Sequence, residues 1–175
     1  MRVTGGRYRG RTVKCPKGVI RPAMDRMRES LFNILGNISG ESFLDLFSGS
    51  GVVGIEAASR GAEPVVLVEK DRGKRPVLLE NISMVETPIK AHIMAAEHFL
   101  KTGDSRFDYI YLDPPFPLAG KKDFIRMAEG RLKDDGLLMI HFPEEDDPGD
   151  TPGRLVRFDL RRFGRSRLGF YRFGE

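Results

Sequence analysis

Cysteine is almost absent from this chain of 175 residues, and so is histidine, with one and three copies respectively. A lone Cys15 excludes an internal disulfide and a cysteine-rich zinc cluster, and nothing around it marks an activated thiolate. His92, His98 and His141 share no ligand spacing, which makes each of them a structural residue and leaves no metal site to expect. No apolar stretch is long enough to cross a bilayer, and MRVTGGRYRG lacks the apolar run of a secretory signal, so a cytoplasmic location and no membrane partner are expected. The middle of the chain is short of positive charge and the ends are short of negative charge. Residues 1–30 hold nine Lys/Arg against two acids, residues 31–150 hold 13 against 21, and residues 151–175 hold seven against two. Two basic ends on an acidic body are either solvated termini or, if the fold brings them to one side, a footprint for a polyanion such as nucleic acid.

What is present is a regular alternation of short apolar runs with helical patterns, the signature of an α/β sheet with parallel strands and crossover helices. Residues 1–20 read as a basic arm or hairpin, punctuated by Gly5-Gly6, Gly10 and Pro16-Lys17-Gly18, and residues 21–175 as the main domain. After Pro22 the spacing of Met24, Met27, Leu31, Ile34 and Leu35 predicts an amphipathic helix stopped at Gly36. Strands are predicted over 43–47, 64–69, 89–93, 107–112 and 136–142, with helices over 51–60, 71–85, from 95 and near 121–132. The acidic stretch 143–153 is predicted as a loop. RLVRFDL and SRLGFYRF then form an antiparallel hairpin at the sheet edge, flanking residues 161–165.

In a doubly wound sheet, ligands sit beyond the carboxyl ends of the strands, so the strand ends carry the functional signal. The first strand runs into DLFSGSGVVG, where Gly49 and Gly51 allow a tight turn and close backbone approach to a ligand. The second ends in Glu69, 18 residues after Gly51, placed to accept the hydroxyls of a ribose. Together these point to a nucleoside cofactor without separating a nicotinamide from S-adenosylmethionine. The fourth strand ends in Asp113-Pro114-Pro115-Phe116, which does separate them. An exocyclic amine has its lone pair delocalised into its ring, and acceptors are needed to localise that pair and meet the developing positive charge. The Asp113 carboxylate and Pro114 carbonyl are such acceptors, Pro114-Pro115 holds the loop rigid, and Phe116 offers a face for a base taken out of its stack. The residues point to methyl transfer from S-adenosylmethionine to a base amino nitrogen.

At GGRYRGR, RPAMDRMRESLFNIL (21–35), DLFSGSGVVGIEAASRGA (45–62), Glu69 and DPPF (113–116), the sequence resembles the RsmD family, bacterial methyltransferases acting on guanine N2 of small-subunit ribosomal RNA. The resemblance implies a Rossmann-like class I methyltransferase fold with a seven-stranded, mostly parallel sheet and an antiparallel C-terminal hairpin. It implies that Asp45, Phe47, Ser48, Gly49, Ser50, Gly51, Glu69, Lys70 and backbone near Ala96 bind S-adenosylmethionine. Asp113, Pro114, Pro115 and Phe116 would hold guanine within 16S rRNA, in a 30S particle or an assembly intermediate. Arg7, Arg9, Arg11, Arg21, Arg26 and Arg28 are the candidate RNA contacts, with Arg26 and Arg28 alternatively structural, paired with Asp25 or Glu29. Ala95 stands where relatives carry an Asp or Asn for the adenine. The acidic loop 143–153 is expected to point away from RNA. Rival readings are a DNA adenine-N6 or cytosine-N4 methyltransferase, disfavoured because no separate target-recognition domain is available, and a non-catalytic RNA-binding assembly factor.

Overall fold

A computed structural model describes residues 1–16 and 24–175; Arg21, Pro22 and the arm's end at 17–20 lie outside the described residues. The elements in chain order are α1 (Met24–Leu35), β1 (Phe43–Asp45), α2 (Val52–Ser59), β2 (Val65–Glu69), α3 (Arg75–Ser83), β3 (Ile89–Ile93), α4 (Ala96–Lys101), β4 (Phe107–Leu112), α5 (Lys121–Glu129), β5 (Leu132–Pro143), β6 (Leu155–Phe163) and β7 (Ser166–Phe173). The strands form one sheet in the order β3-β2-β1-β4-β5-β7-β6. β1 to β5 pair in parallel, and β7 lies antiparallel between β5 and β6. The order reverses between β1 and β4, which opens a crevice at their carboxyl ends.

Side chains alternate across each strand, so the sheet carries a core on both faces. Phe43, Val65, Leu67, Tyr109 and Met139 pack against α1, α2 and α3. Leu44, Val66, Val68, Ile110, Leu138 and Ile140 pack against α4 and α5. Helix α2 is buried along its whole length because it is enclosed by the sheet and the N-terminal arm.

That arm closes on itself through an antiparallel bridge between Arg2 and Thr12 and buries Val3, Tyr8 and Val13 in the first core. Its anchor is Glu56, a fully buried carboxylate on α2. Glu56 accepts hydrogen bonds from the Thr4 N–H at 2.8 Å, the Thr4 hydroxyl at 2.9 Å and the Gly5 N–H at 3.0 Å, and pairs with Arg28 and Arg60. Burial alone would raise this carboxyl; the Thr4 donors and the two guanidinium groups outweigh it and hold it below the ordinary carboxylate value. Gly6 is required here, at φ 77°, because a Cβ would lie 2.0 Å from the Ser59 carbonyl.

The structure moves several expected boundaries. The helix expected over 71–85 begins as a 3-10 turn at Arg72–Lys74 capped by Asp71, and the regular helix starts at Arg75 with Pro76 in its first turn. The helix expected to reach 132 ends at Glu129, because Phe107 draws the Arg131 carbonyl into pairing with β4. β5 therefore begins at Leu132 rather than 136, and β6 extends through Arg161-Arg162-Phe163 to a two-residue turn.

Candidate active site

A cleft of about 820 Å³ opens at the carboxyl ends of β1, β2 and β4. It is lined by Asp45, Phe47, Ser48, Gly49 and Ser50 from the turn after β1, by Glu69 and Lys70 after β2, by Ala96 and Glu97 at the start of α4, and by Asp113 and Pro115 after β4. Met1, Cys15 and Pro16 bring the arm to the same cleft. The backbone turn has local causes. Gly49 and Gly51 take φ of 54° and 85°, a left-handed region costly for other residues, and a Cβ on Gly51 would meet Leu78 at 2.7 Å. Gly54 allows α2 to lie close on β2, since its Cβ would come within 2.2 Å of Leu67.

Glu69 is held by two backbone donors, the Gly49 N–H at 2.7 Å to one carboxylate oxygen and the Asp71 N–H at 2.9 Å to the other. Each oxygen keeps a further lone pair for a hydroxyl donor. The inner end of the cleft is rich in carboxyl groups. Asp45 is buried, and burial pushes its pKa well above the ordinary value; the charges of Asp113 and Glu69 push the same way, against one N–H from Phe47 at 3.2 Å. Ser48 presents a buried hydroxyl with no hydrogen-bond partner among the described residues. Such a pocket suits a ligand that carries positive charge and polar groups and disfavours a pyrophosphate at the glycine turn.

Asp113 is partly buried between two neighbours. His141 on β5 places Nδ1 3.0 Å from Asp113 Oδ1, and the Tyr111 hydroxyl makes a long 3.5 Å contact with Oδ2. The Tyr111 phenol is pushed well above its ordinary value by burial, then by Asp113 and Asp45, so it stays a donor. The His141 ring also lies 5.1 Å from the Phe116 ring, tilted at 60°. His141 is thus a neighbour of Asp113, a contact that its spacing in the sequence does not announce. Lys121 was equally unmarked in the sequence. Its buried ammonium donates to the Phe116 carbonyl at 3.0 Å and the Leu118 carbonyl at 2.9 Å, and pairs with Asp146.

The expected site residues are brought together unevenly. Eight of the nine cofactor candidates line the cleft, while Gly51 sits beneath it at the start of α2. Asp113 and Pro115 face the cleft; Pro114 is buried, and Phe116 lines a neighbouring cavity of about 460 Å³ with Pro143, Glu144, Glu145, Phe163, Arg165 and Ser166. The start of the acidic loop therefore lies beside Phe116 and does not point away, because Lys121 ties Asp146 to the DPPF loop. Arg28 is corrected too. Its side chain is 1% exposed and pairs with Glu56 at 3.1 Å and Asp25 at 3.0 Å, so burial removes it from the reach of a phosphate and the structural alternative, with Asp25, is the one found. Arg7, Arg9, Arg11 and Arg26 are exposed. Arg7 pairs with Glu86 and Arg11 donates to the Met84 carbonyl. Asn81 links arm and cleft, donating through Nδ2 to the Lys14 carbonyl at 2.9 Å and the Ser50 carbonyl at 2.8 Å. Among the described residues no His, Cys, Asp and Glu cluster could hold a metal.

The chain matches the family described as "Conserved hypothetical protein 95" over residues 1–172. It belongs to this family, the RsmD family. It is 31% identical over 98% of its length, and 98% of the relative's, to "Putative rRNA methyltransferase YlbH" of Bacillus subtilis. It is 32% identical to "Ribosomal RNA small subunit methyltransferase D" of Escherichia coli K12, over 87% of this chain and 79% of that one. Among solved structures, "Putative methyltransferase yhhF from Escherichia coli" superimposes with a TM-score of 0.88 at 30% identity, covering 99% of this chain and 97% of the other. The RsmD-family fold, including its antiparallel β6–β7 hairpin, is thus present over nearly the whole chain, with the carboxyl-lined cleft at its switch point.

Proposed function

We propose that this RsmD-family protein transfers a methyl group from S-adenosylmethionine to the exocyclic N2 of a guanine in small-subunit ribosomal RNA. The observation that carries the reading is the DPPF loop at the end of β4, opening beside a glycine turn and a cleft whose inner wall is carboxyl-rich. The residues fit the cofactor. Glu69 has lone pairs left for ribose hydroxyls, the Ser48 hydroxyl lacks a partner, and the Asp45 carboxyl, strained by its neighbours, gains most from a cation placed near it. When bound, S-adenosylmethionine supplies an electrophilic methyl on a sulfonium sulfur. Ala95 opens α4 with no side-chain cap, so backbone groups and packing near Ala96 would hold an adenine at this end.

The protein's own contribution is placement and electrostatics. The Asp113 carboxylate and the Pro114 carbonyl accept the N–H groups of the amine, which directs its lone pair to the methyl carbon. With the cofactor bound, the sulfonium would supply the methyl and retain the electron pair of its carbon–sulfur bond, and Asp113 would take the excess proton from the nitrogen and pass it to solvent. Pro114 and Pro115 keep the loop stiff, and Phe116 supports the base by stacking. The RNA is read here as part of a 30S particle or assembly intermediate, which presents a base already accessible.

The test is incubation of the protein with tritiated S-adenosylmethionine and small ribosomal subunits from a strain lacking the modification, with naked ribosomal RNA and duplex DNA in parallel. N2-methylguanine in 16S rRNA is the expected product. Methylated adenine or cytosine in DNA would overturn the substrate, and RNA binding without transfer in any arm would overturn the reaction.

A further inference from the structure

We infer that His141 is a positioning residue for Asp113, fixing one carboxylate oxygen so that the other is free for the substrate amine; the inference rests on the methyl-transfer reading above. The alternation along β5 sends Leu138, Ile140 and Phe142 into one core and Met139 into the other, so His141 occupies a position where an apolar side chain would be the default. Its side chain is 3% exposed, and burying an imidazole there is costly unless its nitrogens are satisfied. Only one is: Nδ1 lies 3.0 Å from Asp113 Oδ1, and Nε2 is buried with no partner among the described residues.

That asymmetry decides the tautomer. With the proton on Nε2, two acceptors would face each other at 3.0 Å and a buried N–H would have no acceptor. With the proton on Nδ1, the close contact becomes a charge-assisted hydrogen bond and only a bare lone pair is left buried. Of the two tautomers the contact therefore selects the one in which His141 donates through Nδ1 to Asp113 Oδ1.

The DPPF loop explains why a donor must come from another strand. Aspartate side chains are commonly oriented by backbone N–H groups of the residues that follow, and the next two residues here are prolines, which have none. The carboxylate is instead held from β5, in the strand adjacent to its own. Oδ2, touched among the described residues by the long Tyr111 contact alone, is left to meet the amine. Phe116 packs on the same imidazole, so one side chain sets both the acceptor and the stacking face.

Two variants and one spectrum test this. His141→Asn retains an N–H donor about where Nδ1 stands, whereas His141→Leu fills the apolar position and donates nothing. In the 30S assay His141→Leu is expected to lower kcat about 10- to 100-fold, the usual cost of losing such a supporting hydrogen bond, with S-adenosylmethionine affinity within about twofold of wild type. His141→Asn recovers most of kcat although it is the less stable protein. A purely structural histidine gives the opposite ranking, with Leu as active as wild type and Asn worse, and that result overturns the inference. If wild type transfers no methyl group to rRNA, the functional reading fails first. The tautomer is then still decided without substrate by long-range 15N–1H correlation of the full chain: a proton on Nδ1 supports the inference, and one on Nε2 overturns it.

Discussion

Asp45 carries the clearest conflict between stability and function at the scale of a single residue. Burial, Asp113 and Glu69 raise its pKa well above that of the unfolded chain, about 3.9. A carboxyl raised on folding contributes stability that is complete below the unfolded value and is lost as pH climbs toward the folded one. Asp45→Asn imitates the protonated form and still accepts the Phe47 N–H, so it is expected to raise Tm at pH 7 by about 2–4 °C, equivalent to roughly 1 kcal/mol in a chain of this size. The gain shrinks toward zero as the pH approaches 4, and S-adenosylmethionine affinity falls about tenfold, or 1.4 kcal/mol. Thermal scans across pH with calorimetric titration check both, and an unchanged or lowered Tm at pH 7 refutes the argument. Asp45, Glu69, Gly49 and Asp113 were legible in the sequence because each answers a local demand of a strand end or a tight turn. His141, Lys121 and Asn81 were not: Asp113, Asp146 and Lys14, to which they bind, stand 28, 25 and 67 residues away, and the two nearer partners of Lys121 are backbone carbonyls that no residue type announces. For Arg28 the sequence left a phosphate contact and a pairing with Asp25 both open, because nothing in its neighbourhood announces Glu56.

At the scale of elements, the DPPF loop is joined to α5 and to the connection after β5 by one ammonium group. Lys121 opens α5 after Gly120 at φ 86°, and reaches back to two loop carbonyls as well as forward to Asp146. A buried lysine is tolerated only when all of its N–H donors are used, and three partners meet that condition here. Lys121→Met keeps the length and apolar stem and removes the donors. It is expected to cost about 1–3 kcal/mol of stability and to lower kcat about tenfold or more as the loop loses its register, the price of a misplacement near 1 Å. Cofactor affinity measured in the same samples stays near wild type, because Lys121 does not line the cleft; a parallel loss of affinity would mean that the loop also shapes the cofactor site. The elements themselves were largely visible as period-2 and period-3.6 patterns. The exceptions are places where pairing overrides local preference. Lys133, Asp134 and Asp135 fall between the expected helix and strand but lie in β5, where Asp108 pairs with Lys133 across the register shift near Phe107. The arm had too few apolar residues to suggest a core, yet Val3, Tyr8 and Val13 complete one begun by α1 and α2.

For the whole molecule, the two basic ends are not equivalent. Four C-terminal arginines are bound to carboxylates: Arg154 to Glu129, Arg157 to Asp147 and Asp150, Arg161 to Asp159, and Arg167 to Glu144. The acidic loop supplies the carboxylates for two of the four, Arg157 and Arg167, and Arg157 is held so firmly that its pKa moves up rather than down on burial. The N-terminal end differs. Arg9 forms no ion pair among the described residues, and Arg7 is paired only with the exposed Glu86, a surface contact worth no more than about 1 kcal/mol that a phosphate can displace. The arm also lines the cleft through Met1, Cys15 and Pro16, so phosphates bound there would pass near the reacting base. Replacing Arg7, Arg9 and Arg11 together with Gln is expected to weaken binding to a 16S rRNA fragment and to reduce the slope of log affinity against log salt by about 2–3, one released counterion for each lost contact. Gln keeps part of the packing on the Tyr8 ring, where Arg7 and Arg11 now lie at 5.3 and 4.7 Å, so the fold should survive and a Tm near wild type confirms it. Activity at saturating RNA should change less than affinity, because none of the three arginines touches the DPPF loop. An unchanged salt slope would move the phosphate footprint away from the arm, to Arg162 and Arg165 at the end of the hairpin, where Arg165 borders the cavity beside Phe116.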